Sequence, residues 1–397
     1  MTANIKWNQR GEDSEKDSYS KGSLDPSKLF PYNPPEWVVK RLTTIPKFRV
    51  KLIQPFTPIY KWNLPGVPTG FDVSIKRDDM TGITLSGNKA RKLEFLLGDA
   101  IHKECNAVIT VGDVQSNHCR TTAVAARQVG LEPHLLIRSS SENPEQIPSE
   151  GNMFIDMLVG SSLYLVPLKP FQNQQRMEKL AECLRKSRNL KCYTVKPGGS
   201  NAIGLYRLPD ELWPLGWGLS PCCLPLVLPQ TKPFSNYRPQ NTQQLLANAL
   251  KKIQQGYSLV HAFVIRNDKV HVINHVTEIL EEIGLDLEVK AEELIDVVEG
   301  SIGLGYAKST PEELEFITNV SMKTGVILDP TYTGKAAFGL VEHINTNPSA
   351  FKGKRILFVH TGGFFGCVNG KFKSVLGETA VNRIQGWMDM NVEPVVL

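Results

Sequence analysis

From residue 107 onward, short apolar runs alternate with stretches of helical periodicity, a rhythm that restricts the chain to parallel-rich sheets flanked by helices. Residues 107–112 read Ala-Val-Ile-Thr-Val-Gly, an apolar run ending in glycine, as a strand buried on both faces does. An alanine-rich helix follows to Gln128 and stops at Gly130, with Ser116 as its candidate N-cap. A strand at 131–137, a helix around 151–159, a strand at 163–167, a helix over 171–188 and a strand at 193–195 repeat the unit. A strand is expected at 259–265, then a helix with Val272, Val276, Ile279 or Leu280, and Ile283 on one face. Thr310-Pro311-Glu312-Glu313 reads as a capped start with proline at the first helical position, and that helix ends at Gly325. A last strand is expected at 356–359, and the class is α/β.

The flanks are less regular. Residues 1–27 are polar and without periodicity, which reads as a flexible tail. The prolines from Pro26 to Pro68 predict extended chain lying on the surface, with a short strand at 71–75 after it. Between Pro209 and Pro239 seven prolines interrupt the sequence, and neither helical nor strand periodicity predicts a packed element there. A helix with Leu245, Leu246, Ala249, Leu250 and Ile253 on one face is expected over 241–255.

A chain of 397 residues fits two domains, and 41% hydrophobic with 21% charged residues is ordinary for a globular protein. The net charge of +5, from 45 basic and 40 acidic side chains, is too small an excess to argue for nucleic acid. Seven scattered cysteines with no Cys-x-x-Cys spacing read as reduced thiols. No apolar run is long enough to span a membrane or to serve as a signal peptide, and Glu12, Asp13, Glu15 and Asp17 fit a transit peptide poorly. The expected compartment is the cytosol.

Lys89 is out of place for an ordinary surface lysine. Leu93, Leu96, Leu97, Ala100 and Ile101 recur at helical spacing, and one turn back the same face carries Lys89. An ammonium aimed at a core snorkels, pairs with an anion, or works as an amine nucleophile. Other loops share the design of a strand end, small or polar residues and a helix start, where ligands of open α/β sheets bind. Gln115-Ser116-Asn117-His118 suggests an anion site at a helix N-terminus, against the plainer reading of a cap and a surface histidine. Pro197-Gly198-Gly199-Ser200-Asn201 reads as a plain turn before a phosphate cradle. His271 and His275 have zinc-ligand spacing, but Val272 stands where a metalloprotease carries glutamate, so a solvated helix face is expected and no metal.

Taken in order, Ser86-Gly87-Asn88-Lys89 with Arg91-Lys92-Leu93-Glu94, Gln115 to His118, the Pro-Gly-Gly-Ser-Asn turn, Asp329-Pro330-Thr331-Tyr332-Thr333-Gly334-Lys335 and His360-Thr361-Gly362-Gly363 resemble the D-cysteine desulfhydrase and 1-aminocyclopropane-1-carboxylate deaminase family. The resemblance covers about residues 28–208 and 259–368. It implies a two-domain fold type II pyridoxal 5'-phosphate enzyme, similar to the tryptophan synthase β subunit. Residues 28–91 and 204–385 would form the large cofactor domain and 92–203 the small α/β domain. Lys89 would bond the cofactor covalently, Asn117 would partner its phenolic oxygen, Thr361 would face the pyridine nitrogen and Lys92 would lie near the phosphate. Ser116 would move protons and, with Asn117 and His118, seat the substrate; Tyr306 and Tyr332 would be the active-site tyrosine pair.

The implied reaction is α,β-elimination of D-cysteine to pyruvate, ammonia and hydrogen sulfide, in a homodimer with no nucleic-acid or membrane partner. Deaminases of the family look to carry glutamate directly after the reactive tyrosine, close to the pyridine nitrogen, where this chain has Thr333. That favours the desulfhydrase over the deaminase. The family's glycine-rich phosphate turn, expected before Val260, has no counterpart within 207–258, where Gly216-Trp217-Gly218 is a poor amide nest. A catalytically silent relative is therefore a third reading. Plant members of the family look mitochondrial, which sets a mitochondrial location beside the cytosolic one.

Overall fold

The computed structural model describes residues 25–206, 226–230 and 260–377, apart from 35, 55, 169–171, 266–267, 352 and 374. Most of the tail expected over 1–27 and the helix expected over 241–255 lie outside the described residues. Within them, β1 (Phe30–Pro31) and β2 (Phe48–Arg49) form a small antiparallel pair.

Two larger sheets organise the rest. One is wholly parallel, in the order β7 (Ser162–Pro167), β6 (Glu132–Ser139), β5 (Ala107–Asp113), β8 (Cys192–Thr194). The other has the order β11 (Ile295–Val298), β10 (Val260–Phe263), β9 (Leu226–Gln230), β12 (Arg355–Val359), β4 (Asp72–Lys76), β3 (Ile59–Lys61). In it β10 pairs parallel with β11 and β12 with β4, while β9 and β3 run antiparallel to their neighbours.

Two expectations are corrected here. The proline-rich stretch 209–239 does contribute an element, because the apolar Leu226-Val227-Leu228 backbone bridges β10 and β12. The extended stretch before Pro68 carries helix Glu36–Arg41 and the edge strand β3, where irregular sequence is tolerated because one strand side has no ladder to complete. Strand β11 was not legible, since Ile295 to Val298 is a short run flanked by charge.

Strand β12 explains why the larger sheet is covered on both faces. Ile356 and Phe358 enter a core with Ile75, Leu340 and Ile344, whereas Leu357 and Val359 enter another with Val276, Ile279 and Ala262. Alternate side chains of a strand leave opposite faces, so a continuous apolar run demands a helix on each side. Helix Thr333–Thr346 covers one face and helix Lys269–Ile283 the other. The smaller sheet packs through Val108 against Leu93, Leu96 and Leu97 of helix Asn88–His102 and against Ala125 and Val129 beyond them. Each such leucine contributes about 2 kcal/mol by leaving water. That helix is buried from Asn88 to Gly98 on all sides, so it joins the two sheets where an amphipathic stripe predicts only one buried face.

Candidate active site

A cavity of about 340 Å³ opens where the C-terminal ends of β5 and β12 meet the start of the Lys89 helix. It is lined by Lys89, Ser116, Asn117, His118, Tyr306, Tyr332 and Thr361, residues that come from five separate segments of the chain.

The loop that delivers Lys89 is fixed by polar contacts. Thr81 Oγ1 accepts from Gly87 N at 2.9 Å and Ser86 Oγ donates to Asp79 O at 2.8 Å. Arg120, fully buried, donates to the carbonyls of Thr84 and Ser86 and at 3.2 Å to Asn152 Oδ1. Behind the helix, Arg91 grips Asp78 through two hydrogen bonds of 3.1 and 3.0 Å. Burial pushes the Asp78 carboxyl up, but the Arg91 and Lys76 cations outweigh it and hold the group below the usual carboxylate range. Gly87 has φ +108°, and a Cβ there would stand 2.6 Å from Thr361 O, so the two loops meet only because this residue has no side chain. Asn88 N completes the junction by donating to Thr361 O at 3.1 Å.

Lys89 is 3% exposed, and its Nζ donates to the Gly198 carbonyl at 3.2 Å. Lys92 Nζ donates to the same carbonyl at 3.0 Å and to Ser200 Oγ at 3.0 Å. The Pro-Gly-Gly-Ser turn, read from sequence as a plain turn, is therefore the acceptor for both buried amines. Lys92 lies beneath that turn and is not among the residues lining the cavity.

Ser116 does cap its helix, Asn117–Gln128, by accepting from Cys119 N at 3.1 Å, and it lines the cavity as well. The cap uses a lone pair and leaves the hydroxyl proton for other work. Gly112 permits this approach, since a Cβ there would stand 2.4 Å from Ser116 Oγ. Asn117 Oδ1 is a buried acceptor without a partner among the described residues. Such an atom costs energy unless a ligand donor meets it.

His118 is 5% exposed, and its protonation follows from its neighbours. Thr110 Oγ1 donates to Val195 O at 2.9 Å, so at 2.9 Å from His118 Nε2 it acts as acceptor. The imidazole thus carries its proton on Nε2, and Nδ1 is a buried lone pair without a partner among the described residues. Burial, then the Lys89 and Lys92 cations, press the histidine well below its ordinary pKa and keep it neutral.

On the opposite wall the Tyr306 and Tyr332 hydroxyls are 2.5 Å apart, with rings packed edge to face. Asp329, 1% exposed, sets the Tyr332 turn by accepting from the backbone N–H groups of Thr331, Tyr332 and Thr333 at 3.0, 2.8 and 2.8 Å. Thr333 Oγ1 also donates to Asp329 Oδ1 at 2.7 Å, which turns it away from the cavity. Its expected position beside the ligand is thus corrected: a short hydroxyl is captured by the helix-start carboxylate. The signal for Asp329 was present in the sequence as an Asp two residues before a Thr-Tyr-Thr helix start.

Other lining residues were not anticipated. Asp113 is the one carboxylate among the described lining residues, and Arg138 holds it at 2.9 Å. His271 and His275 stand at the cavity edge, the first exposed and the second bonded to Glu278 at 3.1 Å. No group of three or more metal-ligating side chains occurs among the described residues. The five cysteines described are free, and Cys222 and Cys223 lie outside the described residues. No helix among the described residues is long and apolar enough to cross a membrane.

No family model matches the chain. Individual proteins do. The chain is 36% identical over 353 residues to the mitochondrial bifunctional D-cysteine desulfhydrase/1-aminocyclopropane-1-carboxylate deaminase of Arabidopsis thaliana, covering 85% of this chain and 83% of that protein. It is 35% identical over 324 residues to a putative 1-aminocyclopropane-1-carboxylate deaminase of Pyrococcus horikoshii, covering 80% and 92% respectively. Its fold matches a crystal structure described as a 1-aminocyclopropane-1-carboxylate deaminase homologue, with a TM-score of 0.64 and 29% identity over 86% of this chain and 99% of that one.

Proposed function

The chain belongs to the D-cysteine desulfhydrase/1-aminocyclopropane-1-carboxylate deaminase family, and from that premise we propose that it is a pyridoxal 5'-phosphate-dependent lyase that eliminates the thiol of D-cysteine. Water enters, and pyruvate, ammonia and hydrogen sulfide leave.

The residues present fit the ring end of this cofactor. Lys89 offers a buried amine on the cavity wall, Asn117 a side-chain amide whose Oδ1 has no partner among the described residues and whose Nδ2 is a donor, and Thr361 a hydroxyl at the end of β12. In this reading Lys89 would bond the cofactor, Asn117 would donate to its phenolic oxygen, Thr361 would face its ring nitrogen, and Lys92 would support the phosphate end from beneath the Gly198 turn. The stretch in which the family carries its phosphate turn lies mostly outside the described residues.

Bound pyridoxal phosphate supplies an electron-withdrawing ring that lowers the barrier to losing a proton from the substrate α-carbon. The protein does the rest. The amides that open helix Asn117–Gln128 point positive charge at the substrate carboxylate. Lys89 Nζ takes the α-proton, and Ser116 keeps a hydroxyl proton available beside it. The Tyr306–Tyr332 pair moves a proton at the substrate sulfur, whose thiol has an ordinary pKa of about 8.5 and leaves readily as thiolate. His118, neutral at physiological pH, adds no competing cation.

The observation that carries desulfhydrase over deaminase is the absence of a ring-nitrogen carboxylate among the described lining residues. Asp113 is committed to Arg138, and Thr333 is turned into the Asp329 turn. Opening a substrate ring that has no α-hydrogen demands a stronger electron sink than a hydroxyl supports. Purified protein with added cofactor is expected to form pyruvate and sulfide from D-cysteine and far less 2-oxobutanoate from 1-aminocyclopropane-1-carboxylate. Equal turnover of the two compounds would support the bifunctional reading that the Arabidopsis relative's name carries. No visible absorbance band with cofactor would favour the silent relative.

We also infer a homodimer. Ile83, Phe154 and Phe364 are 88%, 51% and 45% exposed and lie in three segments that contact Arg120, and a second copy of the chain would cover this apolar surface. Sedimentation of the purified chain tests this. Fractionation of the native protein decides between cytosol and mitochondrion.

A further inference from the structure

The loop that presents Tyr306 is held from behind by two lysines to which the reaction assigns no part. Lys335 is 1% exposed; its Nζ donates to Ile302 O at 2.7 Å and pairs with Glu313 Oε1 at 3.1 Å. Gly303 lies directly on that pair, since a Cβ there would stand 2.6 Å from Glu313 Oε1 and 2.9 Å from Lys335 Nζ. At the other end of the loop, Lys371 Nζ donates to the carbonyl of Ala307, and Ser309 Oγ donates to Pro330 O at 3.0 Å.

Ala307 is the unusual residue. Its φ of +57° is left-handed, a conformation that a residue with a Cβ adopts only when its surroundings impose it. It directly follows Tyr306, so the bend it makes sets the direction in which Tyr306 leaves the backbone. Within the loop, Lys308 N donates to Gly305 O at 3.2 Å and closes a turn around Tyr306 and Ala307; from outside it, a half-buried ammonium 64 residues further along the chain holds the Ala307 carbonyl. Burial lowers the pKa of Lys371 and the Lys335 cation acts in the same sense, while the Asp329 and Glu313 carboxylates oppose them. These groups stand immediately behind the tyrosine pair, and Asp329 is the residue that fixes Tyr332.

We propose that Lys371 is a positioning residue for the elimination: by holding the Ala307 carbonyl it maintains the left-handed bend that brings the Tyr306 hydroxyl to that of Tyr332. The proposal rests on the reading that this tyrosine pair serves turnover. Without the ammonium, Ala307 relaxes toward a right-handed conformation and Tyr306 swings out of register. Substrate seating at the opposite wall is untouched, so the loss falls on kcat.

The test uses the full chain. Lys371→Met is expected to lower kcat on D-cysteine at least tenfold with KM within twofold of the parent. In cofactor-free protein it is expected to speed amide hydrogen exchange across residues 299–309 while helix Pro311–Thr324 and strand β12 exchange as before. Lys371→Arg, which keeps a cationic donor, is expected to retain most of kcat. Adding Ala307→Gly to Lys371→Met is expected to restore part of it, because glycine holds the left-handed bend without help. A Lys371→Met chain with parental exchange at 299–309 or parental kcat overturns the proposal. Parental turnover by Tyr306→Phe overturns the role of the tyrosine pair itself, and the exchange result then shows separately whether the clamp exists.

Discussion

Gly87 and Gly362 meet backbone to backbone: a Cβ on Gly362 would stand 2.6 Å from the Gly87 Cα, and both residues have positive φ, +108° for Gly87 and +94° for Gly362. This contact locks the start of the Lys89 helix to the end of β12, and so fixes where the amine lies relative to Thr361.

Gly87→Ala and Gly362→Ala are each expected to destabilise the fold by about 1–3 kcal/mol, from overpacking together with a left-handed residue that now carries a side chain. Because the two loops must separate, turnover is expected to fall more steeply than stability. Denaturant titration and D-cysteine turnover on the same samples would show whether the two effects part in that way.

Lys89→Ala is expected to remove activity on the order of a hundredfold to ten-thousandfold, the range for deleting a positioned proton-transfer group. Borohydride treatment with the cofactor is expected to leave added mass on the Lys89 peptide of the parent and none on the variant. Trapping on Lys92 instead would reassign the amine.

His118 is expected to titrate far below pH 6.5 and to keep its proton on Nε2 at neutral pH, which nitrogen-15 NMR of labelled histidine reads directly. Since its folded pKa lies below its unfolded one, the unfolded chain binds more protons as pH falls past about 6.5. The His118 contribution to stability is thus complete above that pH and declines below it. Thr110→Val removes the acceptor at Nε2, and mixed tautomers are the expected result.

Asp156 gives the opposite slope. Burial pushes its carboxyl up to about 8, the Arg120 guanidinium opposing, and both side-chain oxygens lack partners among the described residues. The folded chain therefore holds a proton that the unfolded chain releases above about pH 4, and this group's share of stability falls as pH rises from there toward 8. Asp156→Asn is expected to flatten that decline in urea unfolding measured at several pH values. An unchanged slope would mean that Asp156 is ionised in the fold.

Much of this was legible before any coordinates. An apolar run that ends in glycine marked β5, the alternation of strand and helix marked its neighbours, and Ser116, Thr310 and Gly325 bound their helices where capping chemistry predicts. Lys89 announced itself because a helix face that carries Leu93, Leu96 and Leu97 also carries an amine. These are local facts, set by backbone geometry and by which side chains leave water.

Distance in the chain hid the rest. Strand β9 emerges from a proline-rich stretch because two strands on either side need its backbone, and no local pattern records that need. Thr333 follows Tyr332 directly, yet a carboxylate four residues back captures its hydroxyl and turns it from the cavity. The tautomer of His118 depends on Val195, 85 residues beyond the threonine that links them, and the Ala307 carbonyl finds its donor in Lys371, 64 residues away. Identity and period determine which residues are chemically able to act. Which atom carries the proton, and which hydroxyl faces the ligand, follows from partners that only folding brings within hydrogen-bonding distance.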